Sequence, residues 1–363
     1  MKDKILDFLS DIYFAPIKDL LANENYSDIY IRGHELILVK EKGIIKKIPG
    51  RKFETPKKLE TAINIIARKL GVLLDETNPI LDTRFDTGER INVVIPPVTL
   101  RPLVTIRKFI NKYFEEPELI SAGMIDSAGI EMLKFFVKLK KRIIVSGAPN
   151  SGKTTILNLI CKNIKEDQGT VVSVEDTREI RVESPLWESL IPNPLDDNKS
   201  RAERFQQVLM NTLRMDVDIL IIGEIRGAEI TNMVTSFNTG TGGMATIHAS
   251  NAESTLSRME ALMKSHSNMR EDAIRQLLSE NIDIIVHVKT LADKSKRVTD
   301  IVEVAKSGIY RLNSLYEFVP EKIKRGEKIV GEFVVKNKPG FLGERLFISE
   351  EEIPAYWMEG EVR

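Results

Sequence analysis

Gly147-Ala-Pro-Asn-Ser-Gly-Lys-Thr matches the spacing G-x-x-x-x-G-K-[ST], between an apolar stretch, Arg142 to Val145, and an amphipathic one carrying Ile156, Leu157, Leu159 and Ile160. Each residue type suits phosphate. Glycines let the backbone curl until successive N–H groups and the first turn of a helix point at one anion. Lys153 brings a point charge to the β- and γ-phosphates of ATP, and the Thr154 hydroxyl ligates Mg²⁺. The nucleotide contacts expected from this loop are Gly147, Ala148, Pro149, Asn150, Ser151, Gly152, Lys153, Thr154 and Thr155. Pro149 has no N–H to give, so it belongs where the loop needs none.

Such a loop binds a nucleotide; hydrolysis also needs a group that activates water and charges that stabilise the transition state. Two apolar runs end in acids. Val171-Val-Ser-Val ends at Glu175-Asp176, and Asp218-Ile-Leu-Ile-Ile-Gly ends at Glu224. In an open parallel sheet, ligands bind beyond the carboxyl ends of the strands, so both acidic ends belong near the phosphates. Glu224 is the first choice for orienting the attacking water or taking its proton. Glu175 is the second, sharing that role or holding a Mg²⁺-bound water. The plainer alternative is a helix cap, which Asp176 would easily make. Thr239 to Ala249 is a glycine-dense turn leading into a strand that ends at His248. That imidazole suits sensing of the γ-phosphate or a bridge to a neighbouring subunit, although, taken alone, a structural histidine explains it better.

The elements that must hold these groups fall into two patterns. Up to residue 112 the chain reads as a mixed α/β domain: strands over Ser27 to Arg32 and Leu36 to Lys40, then the apolar pair Ile44 and Ile45 after Gly43. Leu59, Ile63, Ile66 and Leu70 give helical spacing from Pro56, stopped by Gly71. Phe85 to Pro97 reads as a hairpin turning at Asp86-Thr87-Gly88, with Leu103 to Phe109 as another strand. Residues 113–125 read as a linker. From 126 to 336, helices alternate with apolar strands at Arg142 to Val145, Val171 to Val174, Val217 to Ile222 and Met244 to Ile247, the mark of a doubly wound parallel sheet. Ile282 to Val288, Val298 to Val304 and Ile309 to Val319 read as strands added at its edge, and 337–363 as a tail of little periodicity.

Composition narrows the classes. Lys plus Arg and Asp plus Glu each number 53 in 363 residues, so the net charge is zero, against the basic excess of a nucleic-acid binder. The local excess from Lys40 to Lys58 reads as a solvated hairpin rim. Cys161 is the one cysteine and the four histidines lie far apart, which argues against a disulfide, a thiolate zinc site or a histidine metal cluster. No apolar run reaches the ~18–20 residues of a membrane span, and Met1-Lys-Asp-Lys-Ile is no signal peptide. A soluble, cytoplasmic protein recruited to a membrane only through partners is expected.

Taken in order, these segments resemble the traffic ATPases of type II and type IV secretion and of type IV and Tad pili. The loop at Gly147 is similar to their Walker A motif. Glu175-Asp176-Thr177-Arg178-Glu179 resembles their Asp box, Leu213 to Arg226 their atypical Walker B with Glu224 for the usual aspartate, and Thr239 to Ala249 their His box. Glu89 to Pro97 and Thr105 to Phe109 resemble segments that precede that motor core. Thr241 stands where the family's His box usually begins with a histidine, and only His248 matches. The Thr-Ile-Arg-Lys and Thr-Ile-His-Ala segments look most like the Tad-pilus and conjugative branch.

The resemblance implies a RecA-like P-loop NTPase core with a smaller α/β N-terminal domain. It also implies a homo-hexameric ring that holds ATP and Mg²⁺ between its domains and works on an inner-membrane platform protein. Arginines of the first domain would close over the γ-phosphate: Arg90 and Arg107 by motif position, and Arg101. A motor for pilus assembly or secretion is the leading expectation. A DNA- or RNA-translocating ATPase and a non-hydrolysing nucleotide-binding scaffold are the alternatives.

Overall fold

Two sheets organise the residues described in this computed structural model, which are 14–41, 43–84, 89–108, 113–192, 199–306, 310–321, 328–343 and 353–358. The chain divides into two compact units, residues 1–112 and 113–363.

The first sheet follows from period-two alternation. Ile29 and Ile31 of β1 (Tyr26–Arg32), Ile37 and Val39 of β2 (Leu36–Glu41), Leu81 of β4 (Ile80–Arg84), Ile91 and Val93 of β5 (Arg90–Val94) and Val104 and Ile106 of β6 (Leu103–Arg107) are buried together. With β3 (Ile44–Lys47) at one edge, the antiparallel order is β3-β2-β1-β6-β5-β4. Leu59, Ile63 and Ile66 join that cluster from the helix Pro56–Lys69, their three- and four-residue spacing making one apolar face. The helix starts on a Thr55 cap that accepts from Lys58 N and stops before Gly71, whose φ of 68° suits glycine. The turn expected at 86–88 lies outside the described residues, while the strands on either side of it pair as a hairpin.

The second sheet is mostly parallel. Its order is β15-β14-β13-β12-β7-β11-β10-β8-β9. The parallel part comprises β12 (Ile284–Thr290), β7 (Arg142–Gly147), β11 (Gly242–Ile247), β10 (Ile219–Ile225), β8 (Val171–Val174) and β9 (Trp187–Leu190). Ile143, Val145, Ile219 and Ile221 face one core with the helices Ser127–Lys138 and Lys153–Cys161; Ile144, Leu220 and Ile222 face another. The second core is closed by the helices Arg201–Thr212, Glu229–Asn238, Ala252–His266 and Glu271–Asn281. A sheet covered on both faces needs apolar runs rather than alternation, which is how these strands read.

Three readings change here. Ile282 to Val288 is not an edge addition, because β12 pairs parallel with β7 inside the sheet; only β13 (Lys296–Val304), β14 (Leu312–Pro320) and β15 (Gly331–Val335) continue it antiparallel. Residues read as linker carry the helix Glu116–Ser121, and Leu119, Met124 and Ile125 are buried in the second unit. The tail contributes Phe341 and Trp357 to the same core, with the Trp357 ring 5.7 Å from Phe135 and 6.0 Å from Phe136. Trp357→Ala should therefore destabilise the second unit by about 3–5 kcal/mol. Denaturant unfolding of both proteins checks this, and an unchanged midpoint would show that the tail does not hold the core.

Candidate functional site

The phosphate loop joins β7 to the helix Lys153–Cys161. A Cβ on Gly147 would meet Val288 O at 2.2 Å, so the neighbouring strand permits only glycine there. Gly152 caps the helix at φ 104°, where Met124 and Lys296 close over it. Ser151 N donates to Ala148 O at 3.2 Å across a turn whose residues 148–150 are exposed, and Pro149 sits there without a donor. Thr154 and Thr155 follow in the first helical turn, half-buried. A ring of backbone donors at a helix start is thereby offered to an anion.

Lys153 is buried, at 7% exposure, and its ammonium donates to Ala148 O at 3.0 Å. Burial lowers its pKa to about 8, with the charge of Glu224 acting the other way. Lys153 Nζ also lies 3.0 Å from His248 Nδ1. If the ammonium donates there, the ring proton sits on Nε2, a tautomer assigned from these neighbours. Nε2 stands 2.6 Å from Glu224 Oε1, at ion-pair distance but without an aligned hydrogen bond.

Glu224 lies at an irregularity in the pairing of β10 with β11, between Ile222 and Ile225. Arg226 Nε donates to its Oε2 at 2.7 Å. The same guanidinium lies 3.6 Å from Asp176, which Arg201 grips at 2.6 Å and 2.9 Å. A chain of alternating groups thus runs Lys153, His248, Glu224, Arg226, Asp176, Arg201. Among the described residues Asp176 caps no helix and is an ion-pair partner of Arg201 and Arg226.

Glu175 follows β8 and is buried, at 3% exposure. Its Oε1 accepts from Glu179 N at 3.0 Å and Ile180 N at 2.9 Å, while Oε2 is buried without a hydrogen-bond partner among the described residues. Burial pushes the carboxyl up to about 8, the two N–H bonds opposing it. Gly223 packs closely on this neighbour, since a Cβ there would stand 3.1 Å from Glu175 Cγ. An orphaned carboxylate oxygen and the Thr154 hydroxyl are both hard oxygen donors, so the residues present fit a Mg²⁺ ion.

The three arginines belong to the first unit. Arg90 and Arg107 stand opposite each other on β5 and β6, and Arg107 Nε donates to the buried Asp28 at 3.0 Å. Arg101 packs its stem on Gly33. Thr241 precedes β11 at the end away from His248, in a cavity of about 330 Å³ shared with Lys140, Asp218 and Thr239. Six residues of strand separate it from the phosphate end, roughly 20 Å at the usual rise.

Arg226, Asp176 as a salt-bridge partner, Arg201, Met124 and Lys296 were given no role from the sequence. Arg226 alone had a signal, its place two residues beyond Glu224. The others meet the site only through tertiary folding.

The family described as Type II/IV secretion system protein matches residues 12–339. The chain is 28% identical over 261 residues to a probable conjugal transfer protein TrbB of Sinorhizobium fredii, covering 70% of this chain and 77% of that one. It is 27% identical over 330 residues to the type IV secretion system protein VirB11 of Bartonella henselae, covering 79% and 90%. The solved ATPase DotB of Legionella pneumophila shares the fold with a TM-score of 0.58 at 20% identity, over 80% of this chain and 79% of that one.

The Glu175 carboxyl predicts a pH effect with a definite sign. Folding raises its pKa from 4.5 to about 8, so the folded chain keeps a proton that the unfolded chain has released. This contribution to stability is complete below about pH 4.5 and is lost as the pH rises through about 8. Thermal melts across that window should show Glu175→Gln gaining on the wild type as the pH rises. A gap that does not change with pH would remove the carboxyl as the cause.

Proposed function

The chain belongs to the type II/IV secretion system protein family and is a RecA-like P-loop ATPase of the secretion and pilus kind; on that premise we propose that it works as a homo-hexamer driving an inner-membrane platform from the cytoplasmic side. The observation that carries the reading is the contact chain from Lys153 through His248 to Glu224, which joins the phosphate loop to a carboxylate at a strand end.

ATP lies with its phosphates on the backbone N–H groups of residues 147–155, and Lys153 exchanges Ala148 O for β- and γ-phosphate oxygens. That exchange suits a lysine whose ammonium is already stripped of water. Glu224 orients the attacking water and takes its proton, with Arg226 donating to its Oε2. His248 passes between lysine and carboxylate, where a change at the γ-phosphate reaches Glu224 directly. Thr154 would hold Mg²⁺, with Glu175 as a second oxygen donor. When bound, the ion neutralises charge on the phosphate oxygens. Arg90 and Arg107, with Arg101, are assigned to supplying charge to the γ-phosphate. Recruitment to the membrane is assigned to a protein partner; no helix among the described residues is long and apolar enough to cross a membrane.

Lys153→Ala should abolish nucleotide binding, read by titration with a fluorescent ATP analogue. Glu224→Gln should keep binding and lose turnover by roughly a hundred-fold or more. Wild-type turnover from either protein would end the assignment. The motor itself is tested by steady-state ATPase activity across protein concentration with molar mass by light scattering, with and without Mg-ATP and single-stranded DNA. Activity that rises with a six-fold mass and ignores DNA supports the secretion or pilus motor. Strong DNA stimulation of a monomer or dimer would make the nucleic-acid motor the better reading.

A further inference from the structure

Beside the phosphate loop, the turn that joins β12 to β13 brings up a second ammonium group. β12 runs parallel to β7, and their last register pair sets Val288 against Gly147. Thr290, at the end of β12, pairs with Lys296 at the start of β13, so this turn stands next to the loop. The Lys296 stem lies on the loop's last glycine: a Cβ on Gly152 would stand 3.5 Å from Lys296 Cδ and 2.7 Å from Met124 Cε. One methylene separates that Cδ from the ammonium, which keeps the charge in the neighbourhood of the loop.

The turn is fixed on both sides of Lys296. Leu291 N donates to Ser295 O at 2.8 Å, and Asp293 Oδ1 accepts from Ser295 N at 2.9 Å and Ser295 Oγ at 2.6 Å. Asp293 Oδ2 accepts from Ile329 N at 2.8 Å. On the other side Arg297 is buried and donates to Ala122 O at 2.9 Å, while Val298 N donates to Met124 O at 2.8 Å. The strand that presents Lys296 therefore also holds Met124 over Gly152.

The charges gathered here call for an anion. Lys153, Lys296 and the N-terminal dipole of the helix Lys153–Cys161 all bring positive charge to one loop. Burial is the main cause of the lowered Lys153 pKa, Glu224 opposes it, and the charges of Arg226 and Lys296 lower it further. Like charges crowded together are unfavourable until an opposite charge joins them. A polyphosphate is long enough to meet both lysines.

We infer that Lys296 is a nucleotide-binding residue whose ammonium contacts the α- and β-phosphates from the β12–β13 turn, while Lys153 serves the β- and γ-phosphates. Its place over Gly152 selects that end of the chain, because the backbone N–H groups of such a loop cradle the α- and β-phosphates. The inference rests on the proposed binding of ATP at residues 147–155.

Titration of the full chain with fluorescent analogues of ATP and ADP, together with steady-state turnover, tests this. Lys296→Ala should weaken both nucleotides about ten-fold, the scale of one charge-assisted hydrogen bond, since both carry the α- and β-phosphates. Its kcat at saturating ATP should stay within about three-fold, as for a contact made equally in the ground and transition states. Lys296→Arg keeps the charge and should recover most of the affinity. Lys294→Gly removes another exposed lysine of the same turn, at a φ of 70° that glycine accepts, and should leave affinity unchanged. Wild-type affinity in Lys296→Ala would overturn the contact. So would a loss confined to ATP, which places the charge at the γ-phosphate, or an equal loss in Lys294→Gly, which makes the effect a diffuse field. A melting temperature that falls with affinity in both Lys296→Ala and Lys296→Arg would assign the side chain to the fold instead. A wild-type chain that binds neither nucleotide gives a different pattern: it overturns the ATP site itself, and this contact with it.

Discussion

The site turns on an ammonium group removed from water. Lys153 is nearly enclosed by its own loop, and that desolvation brings its pKa down to about 8. A buried cation is tolerated only when oxygen and nitrogen acceptors converge on it. Here these are Ala148 O and His248 Nδ1, with Glu224 behind the imidazole. The glycines at 147 and 152, the strand that packs Val288 O onto Gly147, and Met124 over Gly152 all bring the loop close enough for that convergence. On the proposed function, an arriving phosphate would replace weak acceptors with strong ones around a charge already stripped of water, so little reorganisation would be required.

Why the acids stand beside the lysine follows from the sheet. Six parallel strands end on one side, and β7, β8, β10 and β11 bring Lys153, Glu175, Glu224 and His248 to that side from four separate stretches of chain. The two glutamates meet different surroundings there. Glu224 is held by Arg226 and approached by His248, while Glu175 is buried, one oxygen having no hydrogen-bond partner among the described residues, and its carboxyl is raised to about 8. Two carboxylates whose surroundings diverge in this way suit different tasks.

Much of this was legible in the sequence because the signals were local. The phosphate loop is a contiguous motif, and the strands before Glu175 and Glu224 are apolar runs, the first interrupted only by Ser173. Other features are not carried by neighbours in sequence. β9, Trp-Glu-Ser-Leu, is an edge strand with no fully buried residue, and its place comes from backbone pairing with β8. β15 begins at a glycine and is only half-buried. Arg201 meets Asp176 across 25 residues, a separation no spacing rule encodes. The interior position of β12 did have a signal that the edge reading set aside: Ile284, Ile285, Val286 and Val288 are apolar toward both faces, which an edge strand does not require. The aromatic pair Tyr356 and Trp357 was the matching signal in the tail, since large aromatic side chains near a chain end have few reasons to be there except burial.

The substitution at Thr241 shows how topology changes the meaning of a motif. In sequence, Thr241 and His248 belong to one glycine-dense segment, and a missing histidine in that segment looks like a loss to a shared site. In the fold the segment is a strand, and its ends lie on opposite sides of the sheet. His248 meets the lysine at the carboxyl end, whereas Thr241 borders a cavity with Lys140 and Asp218 at the amino end. A hydroxyl in place of an imidazole there leaves the contacts of Lys153, His248 and Glu224 within the same chain untouched. Any influence of position 241 on hydrolysis must travel along the buried strand β11 or pass through whatever meets the amino end of the sheet.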